Sequence, residues 1–183
     1  MWTLELVDIV DRDDKVIEIK PRDQIWADEI TRTSACFVVD KEGSVLIAQR
    51  DATKKSAPNI WSVAVAETVQ AWENYLDAII RGAFEEIQLS VTHKDLVPTK
   101  KKFSENNNTF RQTYFIVCTD EQKISLIPKE WEVQAIQWVS PVELKEMIQK
   151  NRSLYSKSLP KALDYREKYN EDIIAVLEAK NTQ

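Results

Sequence analysis

The stretch whose reading decides the fold is AETVQAWENYLDAIIRGAFEEIQL, residues 66–89. Helical periodicity runs from about Asn74 to about Leu89. Leu76, Ile80, Ala83 and Ile87 recur at helical spacing and share one stripe that faces a core. Ala78, Gly82, Glu85 and Glu86 share the opposite stripe, which for acids is ordinarily a solvated face. Gly82 is the anomaly. The chain has only two glycines, and one inside a helix costs roughly 1 kcal/mol relative to alanine.

Upstream of this helix the chain reads as strands. LELVDIV (4–10) and KVIEIK (15–20) flank the acidic turn DRDD and predict an N-terminal hairpin, followed by a short helical connection in PRDQIWADEI (21–30). SACFVVD (34–40) and SVLIAQR (44–50), joined through Gly43, predict a second hairpin. WSVAVAE (61–67) reads as one further strand. Downstream, KKKFSENNNTF (100–110) is a polar loop or hairpin tip, and RQTYFIVCT, ISLIP and VQAIQWV read as strands. SPVELKEM opens a helix with Ser140 as N-cap and Pro141 at its first position, and LPKALDYREKYNEDIIAVLEAK (159–180) reads as one long C-terminal helix.

At 183 residues and 21.2 kDa the chain suits a single domain with a real core. The expected division is 1–32 for the hairpin and connection, 33–150 for the main body and 151–183 for the C-terminal helix. A net charge of −5 argues against a long nucleic-acid partner, which leaves a basic footprint. The acidic N-terminal residues and the lack of a long apolar run point to a cytoplasmic protein with no membrane partner. Cys36 and Cys118 lie in apolar runs and are expected as buried free thiols. A lone histidine, His93, gives zinc too few soft ligands.

The layout of residues 67–89 resembles the Nudix box, G-x5-E-x7-R-E-U-x-E-E-x-G-U with U a bulky aliphatic residue. With Glu67 at the first position, Glu73, Arg81, Glu85, Glu86 and Leu89 fall in register with their counterparts. Glu67 stands for the first glycine, Gly82 for the acid after the arginine, Ala83 for U and Gln88 for the second glycine. The surroundings strengthen the resemblance: APNIWSVAVAE is similar to the family's approach to the box, and EWEVQAIQWVSPVEL to its later strand and proline-opened helix. The resemblance spans roughly Leu4 to Met147 and implies an α+β Nudix fold, a mixed sheet sandwiched between helices (α/β/α), with an N-terminal β-hairpin. The hairpin and TRTSACFVV look most like the branch of isopentenyl-diphosphate isomerases and hydrolases built like them. Isomerase activity is not expected, because Ala66 and Thr68 stand where those enzymes need a cysteine and a histidine.

The resemblance implies hydrolysis of a diphosphate linkage in a nucleoside diphosphate derivative, with Mg2+ or Mn2+ as cofactor and a small-molecule diphosphate as partner. A diphosphate repels an attacking hydroxide, so hard cations held by carboxylates must offset its charge. The expected metal ligands are Glu85, Glu86 and Glu67. Glu85, Arg81 and Glu132 are the expected catalytic residues, Arg81 orienting an acid, Glu73 serving as an outer acid and Glu130 standing near as a further candidate. Arg50 and Trp61 are the candidate substrate contacts, with Lys54, Lys55, Trp72 and Trp131 behind them; Lys100 to Lys102 read as solvated. Gly82 removes a family carboxylate, so Gly82→Glu is expected to raise activity if that acid limits the rate. The alternative reading is a Nudix-fold binding or regulatory module that has lost catalysis.

Overall fold

The computed structural model describes residues 4–180; positions 1–3 and 181–183 of the expected domain lie outside the described residues. Strands β1 (Leu6–Val10) and β2 (Val16–Pro21) form the antiparallel N-terminal hairpin. The expected helical connection after it shrinks to one 3-10 turn, Arg22–Gln24. A mixed eight-stranded sheet follows, built on β3 (Thr31–Val39), β4 (Val45–Arg50), β5 (Trp61–Val63), β6 (Val65–Thr68), β7 (Leu96–Pro98), β8 (Lys102–Ser104), β9 (Thr109–Val117) and β10 (Val133–Val139). Its axis is the parallel pairing of β3 with β9 over their full lengths, which makes the sheet mixed.

Strand β3 is buried on both faces, and this sets the layers. Cys36 and Val38 point into a core closed by helix α1 (Tyr75–Ile87) through Ile79, Ala83 and Ile87. Phe37 and Val39 point the other way, into a core closed by α3 (Pro141–Lys150), α4 (Leu159–Lys168) and α5 (Asn170–Lys180). A strand that alternates between two apolar cores needs helices on both sides, so the α/β/α expectation holds. Among the described residues no helix is long and apolar enough to cross a membrane.

Three local readings change, and the expected hairpin tip at 100–110 forms. WSVAVAE is two strands, β5 pairing with β4 and β6 with β3, because β3 and β4 pair only at Val38–Leu46 and Val39–Val45 before diverging. ISLIP is no strand; Thr119 starts a capping box that carries a short helix, α2 (Asp120–Ser125), into it. The C-terminal helix breaks at Tyr169, which leaves helical geometry between α4 and α5. KKKFSENNNTF resolves into a hairpin of β8 and β9.

The hairpin is fastened to the body by Asp14. Its buried carboxylate accepts from Arg32 Nε at 2.6 Å and from the Tyr75 hydroxyl at 3.0 Å, and it pairs with Lys101. Burial raises the carboxyl pKa, but Lys101, Arg32 and Tyr75 outweigh it and hold Asp14 below its ordinary value. Lys101 is therefore engaged, contrary to its reading as solvated. Asp14→Ala leaves Arg32 without its nearer carboxylate partner and is expected to lower stability by about 2–3 kcal/mol in urea unfolding. An unchanged midpoint would show that apolar contacts alone dock the hairpin.

Candidate functional site

Helix α1 is bounded by side-chain and backbone caps. Asn74 accepts from the N–H groups of Leu76 and Asp77, each at 2.9 Å, satisfying orphan donors of the first turn. Gln88 ends the helix in the left-handed region at φ 55°, and the Leu89 N–H returns to the Ala83 carbonyl at 3.0 Å. Glycine is usual at such a turn. Gln88 therefore keeps the backbone course of the box without its glycine.

Arg81 gathers the acids. Its Nε donates to Glu73 at 2.9 Å and one terminal nitrogen reaches the other Glu73 oxygen at 3.0 Å, a two-pronged pair. Its other nitrogen lies 3.2 Å from Glu67 and 3.3 Å from Glu85, and the Thr68 carbonyl takes a further bond at 3.2 Å. Desolvation lowers the guanidinium pKa, but Glu73, Glu67 and Glu85 outweigh it, so Arg81 stays charged. One side chain on α1 thus holds the β6 acid, the loop acid and the helix acid in register.

Gly82 is buried, not on a solvated stripe, because the helix turns that face toward β6. A β-carbon built there would stand 2.2 Å from Glu67 Cγ and 3.0 Å from Val65 Cγ1. No side chain fits without displacing Glu67. The two departures from the box are therefore in contact: the strand carries a carboxylate at 67 beside the place where the helix has none at 82. The signal was present in the sequence as paired departures, a glycine become an acid and an acid become a glycine.

Glu86 sits in the same pocket of negative charge. Burial, the hydrogen bond its protonated form donates to Glu67, and the charges of Glu67 and Glu132 push its carboxyl up to about 9. Glu132 is also paired with Lys54. Glu86 thus feels both Glu67 and Glu132, and Arg81 links Glu67 to Glu85. Among the described residues no three acid, histidine or cysteine side chains stand ready-arranged around an ion. The donor set nonetheless fits a hard divalent cation, since clustered carboxylate oxygens, half-withdrawn from water, call for positive charge.

The other candidates stand apart. Arg50 donates to the Ser56 carbonyl at 3.2 Å, and Trp61 packs half-buried against the C-terminal helices. Trp72 and Trp131 are largely exposed, Glu130 is exposed, and His93 pairs with Asp77 beyond the acid cluster. Cys36 and Cys118 are free and buried, as expected. Lys100 and Lys102, read as solvated, line a cavity on the other face of the sheet.

Glu86 carries a pH signature. Its carboxyl has an ordinary value of 4.5 and a folded value of about 9, so between them the folded state binds more protons than the unfolded chain. Stability is then highest at the acid end and falls as pH rises, by at most about 1.4 kcal/mol per unit. In chelator, the melting temperature is expected to fall from pH 5 to pH 8.5, and Glu86→Gln to flatten that slope. Equal slopes in the two proteins would contradict the clustering.

Comparison with known proteins agrees with the fold and with the family resemblance. A prenyl-diphosphate phosphatase of Methanosarcina mazei is 27% identical over 157 residues, covering 84% of this chain and 90% of that protein. An isopentenyl-diphosphate Delta-isomerase of Brevibacterium linens is 27% identical over 149 residues, covering 79% and 82%. The crystal structure of DR0079 from Deinococcus radiodurans superposes with a TM-score of 0.71 at 22% identity, covering 88% of this chain and 98% of that one. The NUDIX domain family matches residues 29–160, a span that takes in the sheet, the box helix and the Arg81 carboxylate cluster, and the chain belongs to the Nudix family.

Proposed function

We propose that this chain hydrolyses a diphosphate linkage in a nucleoside diphosphate derivative with Mg2+ or Mn2+, as a cytoplasmic protein that binds no long nucleic acid. The observation that carries the reading is the contact of Glu67 with Gly82, which keeps a carboxylate over the box helix after the helix has lost its own. The hairpin docked through Asp14 and the helices closing the second core support one domain over residues 1–183.

Glu86, Glu67 and Glu85 would hold the cation. It supplies positive charge to the diphosphate oxygens and acidifies water. Arg81 orients Glu67 and Glu85 and keeps their oxygens from turning to solvent. Before a cation binds, Glu86 and Glu67 share a hydrogen bond and hold one proton between them, which the cation would displace. Glu132, paired with Lys54 and near enough for its charge to reach Glu86, is the further candidate acceptor. The mazei relative acts on a prenyl diphosphate, so that substrate belongs in any test panel beside nucleoside diphosphate derivatives. Ala66 and Thr68 argue against isomerisation, for neither offers the thiol or imidazole that reaction needs.

The test is product release from the panel with Mg2+ and with Mn2+. Turnover is expected, with Glu86→Gln abolishing it and Glu67→Gln lowering kcat by roughly two to four decades. No turnover across the panel would favour the binding-module reading instead. Gly82→Glu is now expected to lower activity, since its side chain collides with Glu67, and to cost about 1–3 kcal/mol of stability through overpacking. The double variant Glu67→Gly/Gly82→Glu, which returns the carboxylate to the helix, is expected to recover both. A gain from Gly82→Glu alone would show that the helix acid had simply been missing.

A further inference from the structure

Strand β6 has two faces with different uses. Val65 and Glu67 turn toward Gly82 on α1, so Ala66 between them turns to the opposite side, where it lines a cavity of about 510 Å3. Ala66 pairs with Ala35, and Ala35 pairs with Thr113. Three small side chains in one row across β6, β3 and β9 leave the sheet hollow there, and this row floors the cavity. Phe103 and Tyr165 stand in its wall.

Five cations line the same cavity: Lys100, Lys102, Arg111, Lys157 and Lys161. They come from the β8–β9 hairpin and from α4 with the turn before it, two segments far apart in sequence. No aspartate or glutamate lines the cavity with them, and among the described residues none of the five has an ion-pair partner. Elsewhere Arg12, Arg22, Arg32, Lys54, Arg81 and Lys123 each hold an acid, and other cations such as Lys15, Lys55 and Lys150 are exposed to solvent. In a chain where acids outnumber bases 30 to 25, unmatched positive charge gathered in a hollow is a specific arrangement. Concave walls focus such a field and raise the local concentration of anions.

The acid cluster cannot be the reason for these cations, since Arg81 and Lys54 already serve it. Nor does a hydrocarbon group suit the hollow, because burying one against five ammonium and guanidinium groups would desolvate them without a partner. Phosphate oxygens suit it: Arg111 offers a planar fork and the lysines offer mobile point charges. The rings of Phe103 and Tyr165 offer a face for a flat organic group, and Tyr165 already has Lys102 Nζ 4.8 Å from its ring centre.

We propose that this hollow seats a phosphate-bearing organic arm of the ligand, with its phosphate on the five cations and its organic part against Phe103 and Tyr165. Resting on the hydrolase reading, this makes the substrate a diphosphate that carries at least one further anionic group beyond the linkage that is cleaved.

The experiment is calorimetric titration of the full chain in chelator, without divalent metal, using inorganic tripolyphosphate and adenosine 3′,5′-bisphosphate as probes. Both are expected to bind at one saturable site and to compete, the bisphosphate more tightly. Lys157→Ala/Lys161→Ala, which changes two exposed side chains, is expected to weaken both at least tenfold, and Lys102→Ala severalfold. Glu86→Gln and the remote pair Lys15→Ala/Lys150→Ala are expected to change binding less than twofold. No saturable binding, equal loss in the remote pair, or loss in Glu86→Gln would overturn the proposal. Binding of tripolyphosphate without the bisphosphate would also overturn it, by making the hollow a plain anion site. Because no metal is present, these outcomes are independent of whether the acid cluster turns over any diphosphate.

Discussion

Glu67 lies over Gly82 with no room for a β-carbon between strand and helix, and the candidate site is arranged around that contact. A glycine inside a helix gives up roughly 1 kcal/mol of helix propensity. Here it lets β6 and α1 approach closely enough for a carboxylate from the strand to enter the space a helix side chain would fill. Arg81 then finds Glu67, Glu73 and Glu85 all within reach.

The rest of the fold serves to hold that approach. Strand β3 carries β6 on its edge and is itself buried from both sides, by α1 on one and by the C-terminal helices on the other. Caps at Asn74 and Gln88 fix where α1 begins and ends, which sets Arg81 and Glu86 at their height along β6. The divergence of β3 and β4 beyond Val38 and Val39 splits the intended single strand into β5 and β6. This frees the Ala66 face to floor a hollow while the Glu67 face meets the helix. Two adjacent residues thereby look into two chemically opposite environments, one acidic and one basic.

Much of this was legible in the sequence, and the reasons differ by element. The box helix, strand β3 and the proline-opened helix α3 declare themselves through periodicity and capping residues, which are local. Periodicity alone read Glu85 and Glu86 as a solvated face; it is the resemblance to the box that singled them out with Arg81. Gly82 was assigned to a solvated stripe because an apolar stripe counted from Leu76 ignores a strand that packs beside it. ISLIP carried strand-like residues, yet the Thr119 capping box started a helix into it, a local signal that was available and outweighed. The basic hollow was not legible at all: Lys100, Lys102, Arg111, Lys157 and Lys161 meet only because β9 and α4 come together in the fold, and each alone reads as an ordinary surface cation.

The transfer of the carboxylate from helix to strand is tested most directly by Mn2+ binding, followed by electron paramagnetic resonance of the free ion. Wild type and Glu67→Gly/Gly82→Glu should bind comparably, because both place an acid between β6 and α1. Glu67→Gln should bind at least tenfold more weakly while keeping the wild-type fold. Wild-type affinity in Glu67→Gln would contradict the exchange and leave Glu67 as no more than a partner for Arg81.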